Sequence, residues 1–455
     1  MSAQKSVARR RFLTAAAASG LLGAVERQVA WAATAPDYKA LVCIFQQGGN
    51  DGENTLIRSD TKGYATYAAI RAPASGVNIP REALLPIRPS RDGTAFGFHP
   101  ACAPFQAMFE RRALAVVANV GMLAVPSTRE ALERGGTQRP ANLFSHSDQQ
   151  RALQSADFRG MVQTGWGGRI ADRLTGHERA RLPAVAALDQ WGMFGNGERS
   201  IPVSIPLGAS TEPAISPDPV ADAIANAAMR DLVGHRRTNA FDVAAQAYAL
   251  EGLSASAVIT PILRTERTVS QQFLGRHASE VAKQLLNVAL MIEAREQTGL
   301  RRQIFLVRQG NYDTHGSQAP SHHRLLADLS TATAGFHDAI AAMGLAGNVT
   351  TFTMSDFGRT FKPAANKGTD HGWGNYAFVM GGAVRGGDIY GVLPTQALGG
   401  PDDLGNAGRW IPTTSLEQYG ATLARWFGVR EEDLAYVFPN IGAFARADLG
   451  FMRKA

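Results

Sequence analysis

Ala40-Leu41-Val42-Cys43-Ile44-Phe45 is an uninterrupted apolar run that passes directly into Gln46-Gln47-Gly48-Gly49-Asn50-Asp51-Gly52. A short run with β-branched and aromatic members, ending in a polar Gly-rich loop, reads as a buried strand. The pattern recurs along the chain. Ala113 to Val120 runs into Gly121, and Gln303 to Val307 into Arg308-Gln309-Gly310-Asn311-Tyr312-Asp313-Thr314-His315-Gly316. Val349 to Met354 runs into Ser355-Asp356-Phe357-Gly358-Arg359, and Tyr376 to Met380 into Gly381-Gly382. Between these runs lie stretches of helical period. Residues 278–298 place Val281, Leu285, Leu286, Ala289 and Ile292 on one face, and residues 325–343 do so with Leu325, Leu326, Leu329, Phe336 and Ile340. Strands alternating with helices predict an α/β fold with a mainly parallel, doubly wound sheet flanked by helices. Residues 190–275 depart from this. Loops rich in Gly and Pro from Gly192 to Pro219 precede helix-like segments near 222–233 and 240–250, which we read as an inserted cap rather than a second core.

The first residues are organised differently. Lys5, Arg9, Arg10 and Arg11 precede a small apolar run, Phe12 to Ala24, shorter than the about 20 residues that span a bilayer. Two small-x-small sites follow, Ala30-Trp31-Ala32 and Ala33-Thr34-Ala35, completing the layout of a cleavable signal. Ala8-Arg9-Arg10-Arg11-Phe12-Leu13-Thr14 resembles the twin-arginine consensus, which implies export of the folded chain to the periplasm or beyond. Pro36 disfavours cleavage after Ala35, so residues 1–32 are the expected signal and residues 33–455 a single α/β domain. Of the net charge of +7, +4 falls in residues 1–32, from five Lys/Arg against one Glu, which leaves +3 for the rest. No Lys/Arg run with interleaved aromatics appears there, so nucleic-acid binding is not expected. No later stretch reaches about 18 consecutive apolar residues, so no transmembrane anchor is expected in the mature chain. Cys43 and Cys102 are the only cysteines, too few for a disulfide scaffold, and Cys43 reads as a small core residue.

In an open α/β sheet, ligands bind outside the carboxyl ends of the strands. Asn50-Asp51, Asp313 with His315, Asp356, and the later Asp370-His371 all fall in or near such exits. Any one of these Asp residues beside Gly also suits a turn, bonding its own backbone. Together they form a set of carboxylate and imidazole donors that a divalent cation, Mg, Mn, Ca or Zn, would draw together. Phe144-Ser145-His146-Ser147-Asp148 opens an expected helix, where Ser145 can serve as an N-cap or, beside a metal, as a nucleophile. Arg359 can clamp an anion bidentately or pair with Asp356. Trp166 and Trp373, each between glycines, line a pocket or pack. Gly-x-Ser-x-Gly, a Walker loop, Cys-x-x-Cys and His-Glu-x-x-His are all missing from the sequence, which argues against the enzymes they mark.

Six stretches carry a family resemblance: Gly48-Gly49-Asn50-Asp51-Gly52, Ser145-His146, Gly165-Trp166-Gly167-Gly168-Arg169, Tyr312-Asp313-Thr314-His315-Gly316, Ser355-Asp356-Phe357-Gly358-Arg359 and Thr369-Asp370-His371-Gly372-Trp373-Gly374. The chain resembles the bacterial family called domain of unknown function 1501, which is in turn similar to the alkaline phosphatase and sulfatase superfamily. The resemblance implies that superfamily's fold and an exported metal-dependent hydrolase of phosphate or sulfate esters. The alternative is a non-catalytic protein of the same fold that binds a glycan or a partner protein. By analogy Asp51, Asp313, His315 (or His322), Asp356 and His371 would hold metal, Ser145 (or Ser147) would attack, and Arg359 would hold a small anionic ester or glycan. Phe357 stands where the superfamily has a metal-binding His, and a phenyl ring cannot ligate. The spacing from Asp313 to His315 is also shorter than the superfamily's.

Overall fold

The computed structural model describes residues 38–91, 93–174, 180, 182–188, 192–207, 219–235, 239–265, 267–273 and 278–453. The expected signal, residues 1–32, lies outside the described residues. The strands in chain order are β1 (Lys39–Gln46), β2 (Leu56–Arg58), β3 (Leu85–Ile87), β4 (Phe96–Phe98), β5 (Leu114–Gly121), β6 (Val185–Leu188), β7 (Val203–Ile205), β8 (Arg302–Gln309), β9 (Val349–Ser355), β10 (Asn375–Met380), β11 (Ile389–Tyr390) and β12 (Thr414–Ser415). Nine of them form one sheet in the order β11-β5-β10-β9-β1-β8-β6-β7, with β12 beside β5.

The opening apolar run is the centre of that sheet. β1 is buried along its whole length and pairs in parallel with β8 on one side and β9 on the other. A strand covered on both faces must be apolar at every position rather than at alternate ones. Leu41, Cys43 and Phe45 enter one core cluster, while Ala40, Val42 and Ile44 enter the cluster on the opposite face. Helices Ala103–Glu110, Glu280–Glu293 and Gln318–Ala342 supply the latter, and His146–Ser155, Trp166–Arg173 and Leu416–Phe427 the former. The two predicted helical stretches are thus present, the second starting earlier than its period suggested. Cys43 and Cys102 are both free and buried. No described helix is long and apolar enough to cross a membrane.

The register positions the site. Gln46 stands level with Gln309 of β8 and with Ser355 of β9, so three chain segments leave the sheet side by side. The sheet is mixed rather than uniformly parallel, because β10 runs antiparallel to both β5 and β9. That reversal has a use: the loop before β10, which carries His371, reaches the edge that the other strands reach with their carboxyl ends. Two further features depart from the sequence reading. β2, β4 and β3 form a separate three-stranded antiparallel sheet that the sequence pattern did not disclose. Within 190–275, β7 pairs with β6 in the main sheet, and Ala255, Ile259, Ile262, Val269 and Phe273 join the core, so that segment is in part core. The helices there run Pro219–Gly234 and Ala240–Arg264, the second well beyond its expected end.

Glu417 on Leu416–Phe427 is fully buried, and neither carboxylate oxygen has a well-aligned hydrogen-bond partner. Burial outweighs weak help from its own N–H, Ser415 and Asn440 and pushes its carboxyl from 4.5 up to about 7. The folded chain therefore keeps a proton that the unfolded chain releases. Stability must fall as pH rises from about 4.5 to about 7, by about 3 kcal/mol for this group. Denaturation midpoints measured across that range should decline less in Glu417→Gln than in wild type. Parallel declines would contradict the assignment.

Candidate metal centre

The loops after β1, β8 and β9 are bound to one another. Gly48 N–H donates to Asp356 Oδ1 (3.1 Å), while Arg359 Nη1 donates to Gly48 O (3.3 Å) and to Asp313 Oδ1 (2.9 Å). Gly48 has φ +114°, and a Cβ there would lie 2.4 Å from the Asp313 backbone N, so no other residue fits without lifting the Asp313 loop away.

Around Asp313 Oδ1 stand three imidazoles, with His315 Nε2 at 2.9 Å, His146 Nε2 at 3.3 Å and His371 Nε2 at 3.4 Å. Each ring is fixed through its other nitrogen. His146 Nδ1 lies 2.7 Å from Asp356 Oδ2, His371 Nδ1 2.7 Å from Phe144 O, and His315 Nδ1 3.1 Å from Asp370 Oδ1. Carbonyl and carboxylate oxygens accept only, so each Nδ1 donates and each Nε2 of a neutral ring presents a lone pair. His315 Nε2 and His371 Nε2 are 2.9 Å apart, a separation that two facing lone pairs do not hold without a proton or a cation between them. His146 Nε2 is buried and has no hydrogen-bond partner; its 3.3 Å approach to Asp313 has ion-pair distance without hydrogen-bond alignment.

This arrangement fits a metal. Ligating histidines characteristically donate their outer N–H to a carboxylate or a backbone carbonyl. With bonds of about 2.0–2.1 Å, a tetrahedral shell puts neighbouring donor atoms roughly 3.3–3.4 Å apart, as found from His146 and His371 to Asp313. His146, Asp313 and His371 form a group whose donor atoms all lie within 4.8 Å of one another, and His315 adjoins it. A set of two imidazoles and one carboxylate, with a third imidazole adjoining, suits zinc or another first-row ion better than Mg or Ca. The charges are already biased. Burial would raise the Asp313 carboxyl, but Arg359, His146 and His315 outweigh it and hold it below the usual range. The Asp356 hydrogen bond raises His146, while burial lowers His371.

The sequence candidates divide accordingly. Asp313, His315 and His371 meet in the cluster. Asp356 lies behind it, fully buried, gripping His146 and accepting from Gln150 Nε2 (2.8 Å). Asp51 lies at the same sheet edge but is turned away, and both its oxygens are held by Arg71, with Gln318 Nε2 on Oδ2 at 2.5 Å. His322 bonds Asn50 Oδ1 (2.9 Å) and stands outside the cluster. Arg359 is fully buried, its Nε and Nη2 on Thr369 and its Nη1 on Gly48 and Asp313, so its fork faces protein rather than a ligand. Ser145 caps His146–Ser155 through a long bond from Asp148 N–H (3.5 Å), its Oγ 3.1 Å from Ser147 Oγ. Trp166 and Trp373 are both buried in the protein. Phe357 packs against two of the rings, 4.8 Å from His146 and 4.6 Å from His371, which themselves lie 4.4 Å apart.

His146 is the member of the cluster that the sequence pattern did not single out; its signal is the Ser145-His146 stretch, where the hydroxyl is the more obvious reactive group.

The family described as "Protein of unknown function (DUF1501)" matches residues 38–403. No curated protein matches. Among solved structures, the C-terminal periplasmic domain of EcEptC from Escherichia coli, in complex with Zn, is similar at 8% identity over 76% of this chain and 73% of that one, with a TM-score of 0.34. The PsFucS1 sulfatase from Pseudoalteromonas sp. is similar at 10% identity over 95% of this chain and 76% of that one, with a TM-score of 0.36. At such TM-scores neither likeness bears on the chemistry that follows.

Proposed function

We propose, from the premise that the chain belongs to the DUF1501 family, that it is an exported metal-dependent hydrolase of phosphate or sulfate esters. One observation carries the reading: three imidazoles, each fastened through Nδ1, converge with Nε2 on Asp313. His146, His371 and Asp313 would hold the ion, with His315 beside them as a further donor, and with Asp356, Asp370 and Phe144 O orienting the rings. A divalent ion so held supplies Lewis acidity toward an ester oxygen and makes a bound water more acidic. The chain's own residues do the rest. Asp356 fixes the tautomer of His146. Arg359 balances the Asp313 charge through Nη1. Ser145, adjoining His146, would provide the attacking hydroxyl, since its long capping bond holds it weakly. The same reading takes the sheet as doubly wound, of the alkaline phosphatase and sulfatase kind, supported by apolar clusters on both faces, with residues 190–275 as an insertion. Arg9, Arg10 and the apolar run behind them support export.

A second reading, a binding protein without turnover, is favoured by Phe357, whose ring packs against His146 and His371 and cannot ligate. Chelator-stripped protein, reloaded with Zn, Mn, Mg or Ca, separates the two when offered p-nitrophenyl phosphate and sulfate. We expect metal-dependent release of nitrophenol from the periplasmic fraction, lost in Ser145→Ala with metal affinity retained. We also expect no activity in that fraction when Arg9 and Arg10 are both replaced by Lys. Tight metal binding with no turnover on either ester would establish the second reading.

A further inference from the structure

Arg359 is spent on Asp313, Gly48 and Thr369, which leaves open what would receive the anionic end of an ester at this cluster. Arg409 is placed for it. Its loop is built around Asp403, fully buried, whose carboxylate accepts from Gly399 N–H (2.9 Å), Gly408 N–H (3.0 Å) and Arg409 N–H (2.9 Å). From that fixed base the side chain of Arg409 reaches to the cluster. Nε donates to His371 O (2.9 Å), and the guanidinium lies 4.7 Å from the centroid of the Phe144 ring. Phe144 is the residue whose carbonyl holds His371 Nδ1. Arg409 therefore touches two of the residues that frame the metal centre. Its two terminal amino groups have no protein acceptor among the described residues, and the side chain is half-exposed. A guanidinium stacked on a ring and fastened by Nε is already ordered, and its free edge matches two oxygens of a tetrahedral oxyanion.

We propose that Arg409 is the anion-binding residue of the cluster, taking the terminal oxyanion of a phosphate or sulfate group; this rests on the metal-centre reading for its role in hydrolysis but not for its chemistry. The full chain, loaded with zinc and separately stripped of it, would be titrated calorimetrically with inorganic phosphate and with inorganic sulfate. Wild type should bind at least one, and the better of the two identifies the ester class. Arg409→Gln should weaken that binding by at least about tenfold, with zinc affinity unchanged. Arg409→Lys should recover part of it. Undiminished anion binding in Arg409→Gln, or no anion binding by wild type in either state, would overturn the proposal. So would a zinc affinity that falls with anion affinity, which would mean that Arg409 acts only by steadying the His371 carbonyl. If wild type binds no zinc, the metal reading fails on its own, and the titration of stripped protein still decides Arg409.

Discussion

Asp51→Asn should cost the folded chain about 3–5 kcal/mol and leave zinc affinity close to that of wild type. Asp51 and Arg71 are both fully buried, with Nη1 on Oδ2 at 2.7 Å and Nη2 on Oδ1 at 3.0 Å. Arg71 is held further by Asn54 Oδ1 (2.5 Å), Phe361 O (2.9 Å) and Thr360 O (3.0 Å). Burial alone would raise the Asp51 carboxyl, but Arg71 brings it below its ordinary value, so the pair is ionised. An amide in its place keeps the shape and removes the charge, which strands a guanidinium in the interior. Removing one partner is costlier than removing both, so Asp51→Asn with Arg71→Met should recover part of the loss. Urea midpoints and zinc titrations together decide the matter. An Asp51→Asn protein of normal stability that no longer binds zinc would make Asp51 a ligand after all.

His146→Ala should weaken zinc binding by more than the about 10–100-fold that loss of an outer partner costs. Asp356→Asn should fall within that range, because an amide can turn its oxygen to His146 Nδ1 but gives up the charge that makes the ring a better donor. Asp356→Ala should be worse, since it also frees Gly48 N–H and Gln150. His146→Ala should also cost the fold about 1–3 kcal/mol, because buried Asp356 Oδ2 loses the His146 Nδ1 donor and keeps only Gln150 Nε2. Equal zinc affinity in His146→Ala and wild type would remove the histidine from the centre and with it the reading of the cluster as a metal site.

What the sequence disclosed and what it withheld follow from range. Apolar runs ending in Gly-rich loops are local signals, and β1, β5, β8, β9 and β10 all stand where such runs were read. The direction of β10 is not local, since Tyr376 to Met380 looks the same read either way along a sheet. β2, β3 and β4 have three residues each, below the length at which periodicity speaks. In the site, Asp51 and Asp356 were singled out with Asp313 because all follow strands. Whether such a carboxylate faces an ion or a neighbour depends on partners that spacing cannot reveal. Arg71 arrives from the end of a short helix, Thr61–Ile70, and Gln318 from the start of a long one. Arg409 sits in Gly408-Arg409-Trp410, which carries no motif at all, and only the fold brings it to His371.

The central position of β1 governs the order of events during synthesis. The first strand made is the one the rest of the sheet is built on, yet its neighbours come late: Tyr38, at its foot, hydrogen-bonds Gln303, 265 residues downstream. At about 5–20 residues per second, a ribosome needs roughly 13–53 s to supply that partner. Until then Leu41 to Phe45 has no strand on either side and is the kind of apolar segment that aggregates unless shielded. The histidines at positions 146, 315 and 371 cannot meet at Asp313 until the ribosome has passed the last of them, so the centre is among the features that synthesis completes late.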